Sequence, residues 1–217
     1  MATVILATTY FGPVQWYQKL HRHDSVLIEQ HESFQKQTYR NRCLIATTQG
    51  VQALTVPVEH PPISPTAGTT PTLQSVRISD HGNWRHQHWQ AITSAYGESP
   101  FFEFYEDDVK PFFTEKKWER LIDYNEAICM KMCEMTDIHP RIARTSEYAS
   151  PNASATDTQQ PTTLDYRDAI NPKHPLPDPE FVPREYYQVF REKHGFLPNL
   201  SILDLLFNMG PESIFYL

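Results

Sequence analysis

Residues 3–29 read TVILATTYFGPVQWYQKLHRHDSVLIE, and the pattern of this stretch sets the fold class. Residues 3–8 are a β-rich apolar run that breaks at Tyr10, Phe11, Gly12 and Pro13. From 15 to 21 the apolar residues Trp16, Tyr17 and Leu20 recur at helical spacing. Residues 24–29 then carry Val26, Leu27 and Ile28 in succession, the mark of a strand buried on both faces. Strand, tight turn, helix and strand make a βαβ unit, paired in parallel through the usual right-handed crossover. The expected class is therefore α/β, with a Rossmann-like βαβ start followed by a β-hairpin, a long helix and a helical C-terminal segment.

The elements beyond this start follow by the same rules. Two strand-like runs, CLIATT and ALTVPV, flank Gln49-Gly50 and predict a hairpin over 42–58. The proline-rich stretch 60–71 predicts an exposed loop, followed by a short strand over 76–79. Asn83 is placed to cap a helix running to about Tyr96, with Trp84, His88, Ile92 and Ala95 on one face. Trp118, Leu121, Ile122, Ile128, Met132 and Met135 form the stripe of a long helix ending near Met135, although Thr114 and Lys117 lack the acidic half of a capping box.

SPNASATDTQQPTT, residues 150–163, is poor in bulky apolar residues and predicts a mobile loop. After the proline-rich 171–183, residues 185–193 are read as helical. Ser201 and Asp204 read as a capping box for LDLLFNM, with Gly210-Pro211 as its stop. The chain divides on this reading into an α/β domain at 1–149, a flexible proline-rich loop at 150–182, and a helical segment at 183–217 that packs on the same domain.

Composition narrows the function classes. A chain of 217 residues with formal net charge −7 buries a core unaided and argues against general nucleic-acid binding. Cys43, Cys129 and Cys133 form no Cys-x-x-Cys pair, which suits a reduced compartment. The start has no basic n-region, and no run approaches the ~20 apolar residues of a membrane span. A cytoplasmic protein without a membrane span is expected.

Two short stretches hold chemistry that a core does not need: QKQTYRNR at 35–42 and WRHQHW at 84–89. Lys36, Arg40 and Arg42 are suited to phosphate or carboxylate oxygens, and two arginines one residue apart on a strand would face the same side as a fork. Trp84 and Trp89 are suited to stacking on a ring. His88, on the Trp84 face, is the candidate for moving a proton, whereas His86 points elsewhere on a helix. Solvation of a strand edge is the plainer reading of the cations, and a buried imidazole that of His88.

Cys43 beside Arg42 is a weaker nucleophile candidate, and the acidic run Glu106, Asp107 and Asp108 reads as a solvated loop. His31, Glu32, His81, His86 and His88 have no ligand spacing, so no metal is expected. Neither a Walker A loop nor a Gly-x-Gly-x-x-Gly turn is present, and the cofactor is left open.

YRNR, the LTVPV strand, the spaced Trp and His-Trp, and the closing FLPNLSILDLLFNMGPE together resemble the WbqC-like protein family, in the form found in Bacteroidota-type bacteria. The resemblance runs over nearly the whole chain. Positions that match its pattern are Lys36, Arg40, Asn41, Arg42, Pro57, Trp84, His88, Trp89, Tyr96, Leu200, Asp204 and Asn208, which adds Asn41 and Tyr96 to the candidate ligand-binding set. Many relatives have Gln-Pro after the first strand where this chain has Thr9-Tyr10.

The start also resembles nucleotidyltransferase-like Rossmann folds, but it lacks their His-x-x-His. The family resemblance implies a cytoplasmic role tied to O-antigen or other surface-polysaccharide genes. The resulting expectation is a group-transfer enzyme with a small anionic or nucleotide-sugar ligand, and with other glycan-assembly proteins as further partners. The alternative is a non-enzymatic adaptor for those proteins, using the LSILDLLFNMG helix as its surface.

Overall fold

The structure is a computed structural model that describes residues 3–59, 72–150 and 163–217. The expected loop at 60–71 and nearly all of the one at 150–163 lie outside the described residues. The opening βαβ unit forms as β1 (Thr3–Ala7), α1 (Val14–Arg22) and β2 (Ser25–Glu29), with β1 and β2 parallel in the register Val4 to Val26. Two strands not anticipated from the sequence complete a four-stranded parallel sheet: β7 (Arg141–Arg144) beside β2, and β8 (Thr163–Asp165) beside β1. The order β7-β2-β1-β8 places the most apolar strands in the middle, and helices cover both sides.

The β1–α1 turn is shaped by Gly12, where a Cβ would fall 2.4 Å from the Thr9 hydroxyl. Only glycine fits there. The hairpin is β3 (Arg42–Thr47) and β4 (Gly50–Thr55), and Thr47 pairs with Gly50, so the turn residues are Thr48 and Gln49, one position earlier than expected. Val58–Glu59 (β5) pairs antiparallel with Arg77–Ile78 (β6), the expected short strand.

The helix α2 (Trp84–Tyr96) buries Trp84, His88, Ile92 and Ala95 as the spacing predicts, although the Asn83 side chain makes no capping bond. Two short helices, α3 (Phe102–Val109) and α4 (Pro111–Thr114), precede α5 (Leu121–Met135). The long helix thus starts after Trp118, whose ring instead stacks on Phe112 and packs at a tilt against Tyr124. Over 185–193 only a single turn forms, α6 (Arg191–His194), because Gln188 spends its side chain on Leu197 and Asp204 and holds that strap extended.

The helix α7 (Ile202–Met209) is buried almost throughout and packs on α1, α3 and β3. Ser201 caps it by accepting from Leu203 N. The expected acidic half of that box does not form, since Asp204 turns its carboxylate into the core. The same segment closes the start of α1: Val14 N donates to Leu200 O, Gln15 N to Asn199 Oδ1, and Ile202 N to Gly12 O.

Candidate functional site

In an open parallel sheet, ligands sit outside the carboxyl ends of the strands. Here those ends are richly charged. Glu29, the last residue of β2, is wholly buried, and its carboxylate accepts from His31 N at 2.7 Å, Ala149 N at 2.8 Å and the Thr145 hydroxyl at 2.9 Å. The Arg167 guanidinium, just past β8, reaches Glu29 at 3.3 Å, Asp165 at 2.5–3.1 Å and Ala149 O at 2.7 Å, and lies over the Tyr148 ring. A burial cost this large is met only by such pairing.

One loop further, Arg40 grips Glu32 through two bonds, Nε to Oε1 at 2.7 Å and Nη2 to Oε2 at 2.6 Å. Between these two networks opens a crevice of about 380 Å³ lined by His31, Glu32, Ser33, Gln35, Tyr148, Arg167 and Asp168. The Nε2 of His31 lies 3.1 Å from Thr145 O. A carbonyl only accepts, so Nε2 carries the hydrogen, and in the neutral ring Nδ1 presents a lone pair. Carboxylates, an imidazole, a held guanidinium and the half-exposed Tyr148 ring together can hydrogen-bond hydroxyls and cover the flat face of a ring.

The residues singled out from sequence distribute unevenly about this crevice. Lys36 is exposed beside the lining residue Gln35. Arg40 is buried behind the crevice on Glu32, whereas Arg42 lies on the hairpin with Nε on the Thr55 hydroxyl at 3.2 Å. Arg40 precedes β3, so the two arginines form no fork. Asn41 donates to Val56 O and helps close the base of the hairpin.

The second stretch lies deeper. The indole N–H of Trp84 donates to Ser79 O, and the Arg85 guanidinium covers one ring face at 4.4 Å. Trp89 packs on Phe102 and Phe113. Tyr96 donates to Asp204 Oδ1 at 3.0 Å and accepts from Ala46 N at 3.1 Å. Tyr10 bridges the two stretches: its N–H donates to Tyr39 O, and its hydroxyl lies 2.9 Å from His88 Nδ1.

Burial pushes the His88 pKa down to about 4, with the Thr55 carbonyl opposing that shift. The neutral ring is thus the folded form at physiological pH. Because the folded value lies below the unfolded one, the stability this imidazole contributes is complete above about pH 6.5 and is lost as pH falls through about 4. The loss should reach about 3 kcal/mol, and the difference between wild type and His88→Gln in denaturant melts across this range checks it. Cys43 shows the reverse of the activation considered above, since burial pushes its thiol up.

Sequence reasoning did not single out Tyr10, Glu29, Tyr148, Arg167 or Asp168. The one available signal was Glu29, a charge closing the apolar run VLI. A helix N-terminus after the first strand is a ready phosphate site, but that of α1 is already occupied by Asn199 and Leu200. Among the described residues, no cluster of three His, Cys, Asp or Glu side chains is placed to hold a metal ion. No helix among them is long and apolar enough to cross a membrane.

An uncharacterised protein of Mycobacterium tuberculosis (strain ATCC 25618 / H37Rv), Rv1507c, is 27% identical over 216 residues, covering 89% of this chain and 87% of the relative. No solved structure matches the chain. The model of the WbqC-like protein family matches residues 8–176, a span that holds the first turn, the hairpin, α2, α5 and every residue lining the crevice, and the chain belongs to that family.

Proposed function

We propose that the chain is a cytoplasmic group-transfer enzyme acting on an activated sugar or a related anionic metabolite in O-antigen or other surface-polysaccharide assembly. Its ligand would lie in the crevice between residues 31–35 and Tyr148, Arg167 and Asp168. The observation that carries this reading is the placement of that crevice at the carboxyl ends of β2, β7 and β8, with carboxylate and guanidinium groups held rigid by buried partners.

Within this reading, Glu32 and Asp168 accept from sugar hydroxyls, Tyr148 covers the ring, and His31 Nδ1 takes a proton. Lys36, exposed beside Gln35, meets the anionic group. Arg40 orients Glu32. Asn41, Arg42, Trp84, His88, Trp89 and Tyr96 support the floor and the hairpin behind it. The pathway setting rests on the family resemblance described above.

The adaptor alternative required a surface on the LSILDLLFNMG helix. Leu203, Leu206 and Phe207 are fully buried within the chain, which removes that surface.

A thermal-shift screen against nucleotide sugars, sugar phosphates and acyl donors tests the reading. A ligand at ~100 times its Kd adds about 2.7 kcal/mol, which for a chain of this size raises Tm by roughly 5–10 °C. The shift should disappear in Tyr148→Ala and in Asp168→Asn, both exposed, with Asp168→Asn leaving the ligand-free Tm nearly unchanged and Tyr148→Ala lowering it only by the lost contact with Arg167. No shift with any donor, or a shift kept by both variants, would overturn it.

A further inference from the structure

Among the described residues the outer edge of β4 is unpaired, and its geometry can be read from its partner. In the hairpin register Leu44 faces Ala53, and Ala46 faces Val51. Leu44 O accepts from Ser201 N at 2.8 Å, and Ala46 N donates to the Tyr96 hydroxyl at 3.1 Å. The backbone groups of both residues thus point away from β4, so these two are non-hydrogen-bonded pairs of the ladder. Val51 and Ala53 consequently turn their own N–H and C=O to the opposite side, where neither finds a partner among the described residues.

A groove of about 580 Å³ runs along this edge, floored by the small residues Ala91, Ser94 and Ala95 of α2. Natural sheet edges are blunted by lysine, proline or bulges. GVQALT, residues 50–55, has none of these and no charge, and Val51 is 52% exposed. The exposed residues of α2 nearby, Gln87, Gln90 and Ser94, are uncharged as well. In a chain of net charge −7, this strip carries no carboxylate, and Lys193 donates to Thr48 O at the hairpin tip, so a second copy meets little repulsion there.

We propose that β4 pairs with β4 of a second copy of this chain, antiparallel across a two-fold axis, to give a continuous sheet β3-β4-β4-β3. Centring the axis on Gln52 sets Val51 opposite Ala53 of the partner subunit and Ala53 opposite Val51 of the partner subunit. Each of these pairs then exchanges both of its backbone bonds, so the edge is complementary to itself. This inference stands apart from the ligand reading, since the crevice lies on another part of the fold.

Sedimentation equilibrium from micromolar to hundreds of micromolar protein tests it. The wild type should pass from the 25.3 kDa monomer to twice that mass, with the Val51 and Ala53 amides protected from hydrogen exchange only in the dimer. Ala53→Pro removes an outward N–H that the hairpin does not use, and should give a monomer with an unchanged far-UV spectrum. Val51→Lys, which places a charge on the edge without altering the backbone, should weaken association by about tenfold or more. A wild type that stays monomeric throughout overturns the proposal, whether or not an extended peptide of another protein binds the edge. A dimer that persists in both variants does so too.

Discussion

Asp204→Ala is expected to lower stability by about 3 kcal/mol or more, read as a fall in the urea midpoint at unchanged m-value. The carboxylate is enclosed by α7, α2 and the 186–188 strap. It accepts from the Tyr186 hydroxyl at 2.7 Å, Gln188 Nε2 at 2.8 Å and the Tyr96 hydroxyl at 3.0 Å. Truncation leaves two buried hydroxyls without an acceptor and opens a cavity between them. Gln188 keeps Leu197 O as an alternative acceptor, which limits the loss.

Asp204→Asn separates charge from shape. Burial pushes the Asp204 pKa up to about 6, against the lowering effect of its three donors. A folded value above the unfolded one means that folding takes up a proton between the two. The stability from this group is therefore full below about pH 4 and lost as pH rises through about 6, a change of roughly 2–3 kcal/mol. The stability difference between wild type and Asp204→Asn should carry that slope, and a difference flat from pH 4 to 7 would contradict the buried carboxylate. His88 acts in the opposite sense over nearly the same range, so the two groups partly offset each other in the whole protein.

Arg40→Ala should cost about 3–5 kcal/mol, because it leaves the Glu32 carboxylate buried without its counter-ion. Replacing both partners, as Glu32→Leu with Arg40→Met, should recover most of this, since an apolar pair of similar volume avoids the desolvation of two charges. A free anion clamp would behave differently: its loss would abolish a ligand-induced Tm shift and leave the ligand-free Tm nearly unchanged. Denaturant melts of the two single variants and the double variant, closed as a cycle, distinguish the cases.

The parts of the fold legible in the sequence are those whose cause is local. The βαβ start shows in the β-branched run before Gly12-Pro13, and α2 shows in the spacing of Trp84, His88, Ile92 and Ala95. The strands β7 and β8, RIAR and TLD, are short and half polar. They are strands because β2 and β1 lie beside them, which no local pattern encodes. The same limit holds around the crevice. The stretch that holds Gln35 and Lys36 stands out by composition, but its pattern leaves Arg40 a free cation, because Glu32, eight residues earlier, is brought to it only by a loop. Asp204 fits a capping box by spacing, yet its partners at 96, 186 and 188 arrive from elsewhere in the chain.

The closure of α1 by residues 199–202 bears on the order in which the protein is made. The opening βαβ unit is synthesised first, but it lacks β8 until residue 165 is made, and the turn at Gly12 and the first helical N–H groups wait for residues near 200. At ribosomal speeds the intervening chain takes roughly ten to several tens of seconds to appear. During that interval β1 exposes an apolar edge that its neighbours will later cover. Contacts of such long sequence separation slow folding and leave apolar surface open on the nascent chain until its last residues arrive.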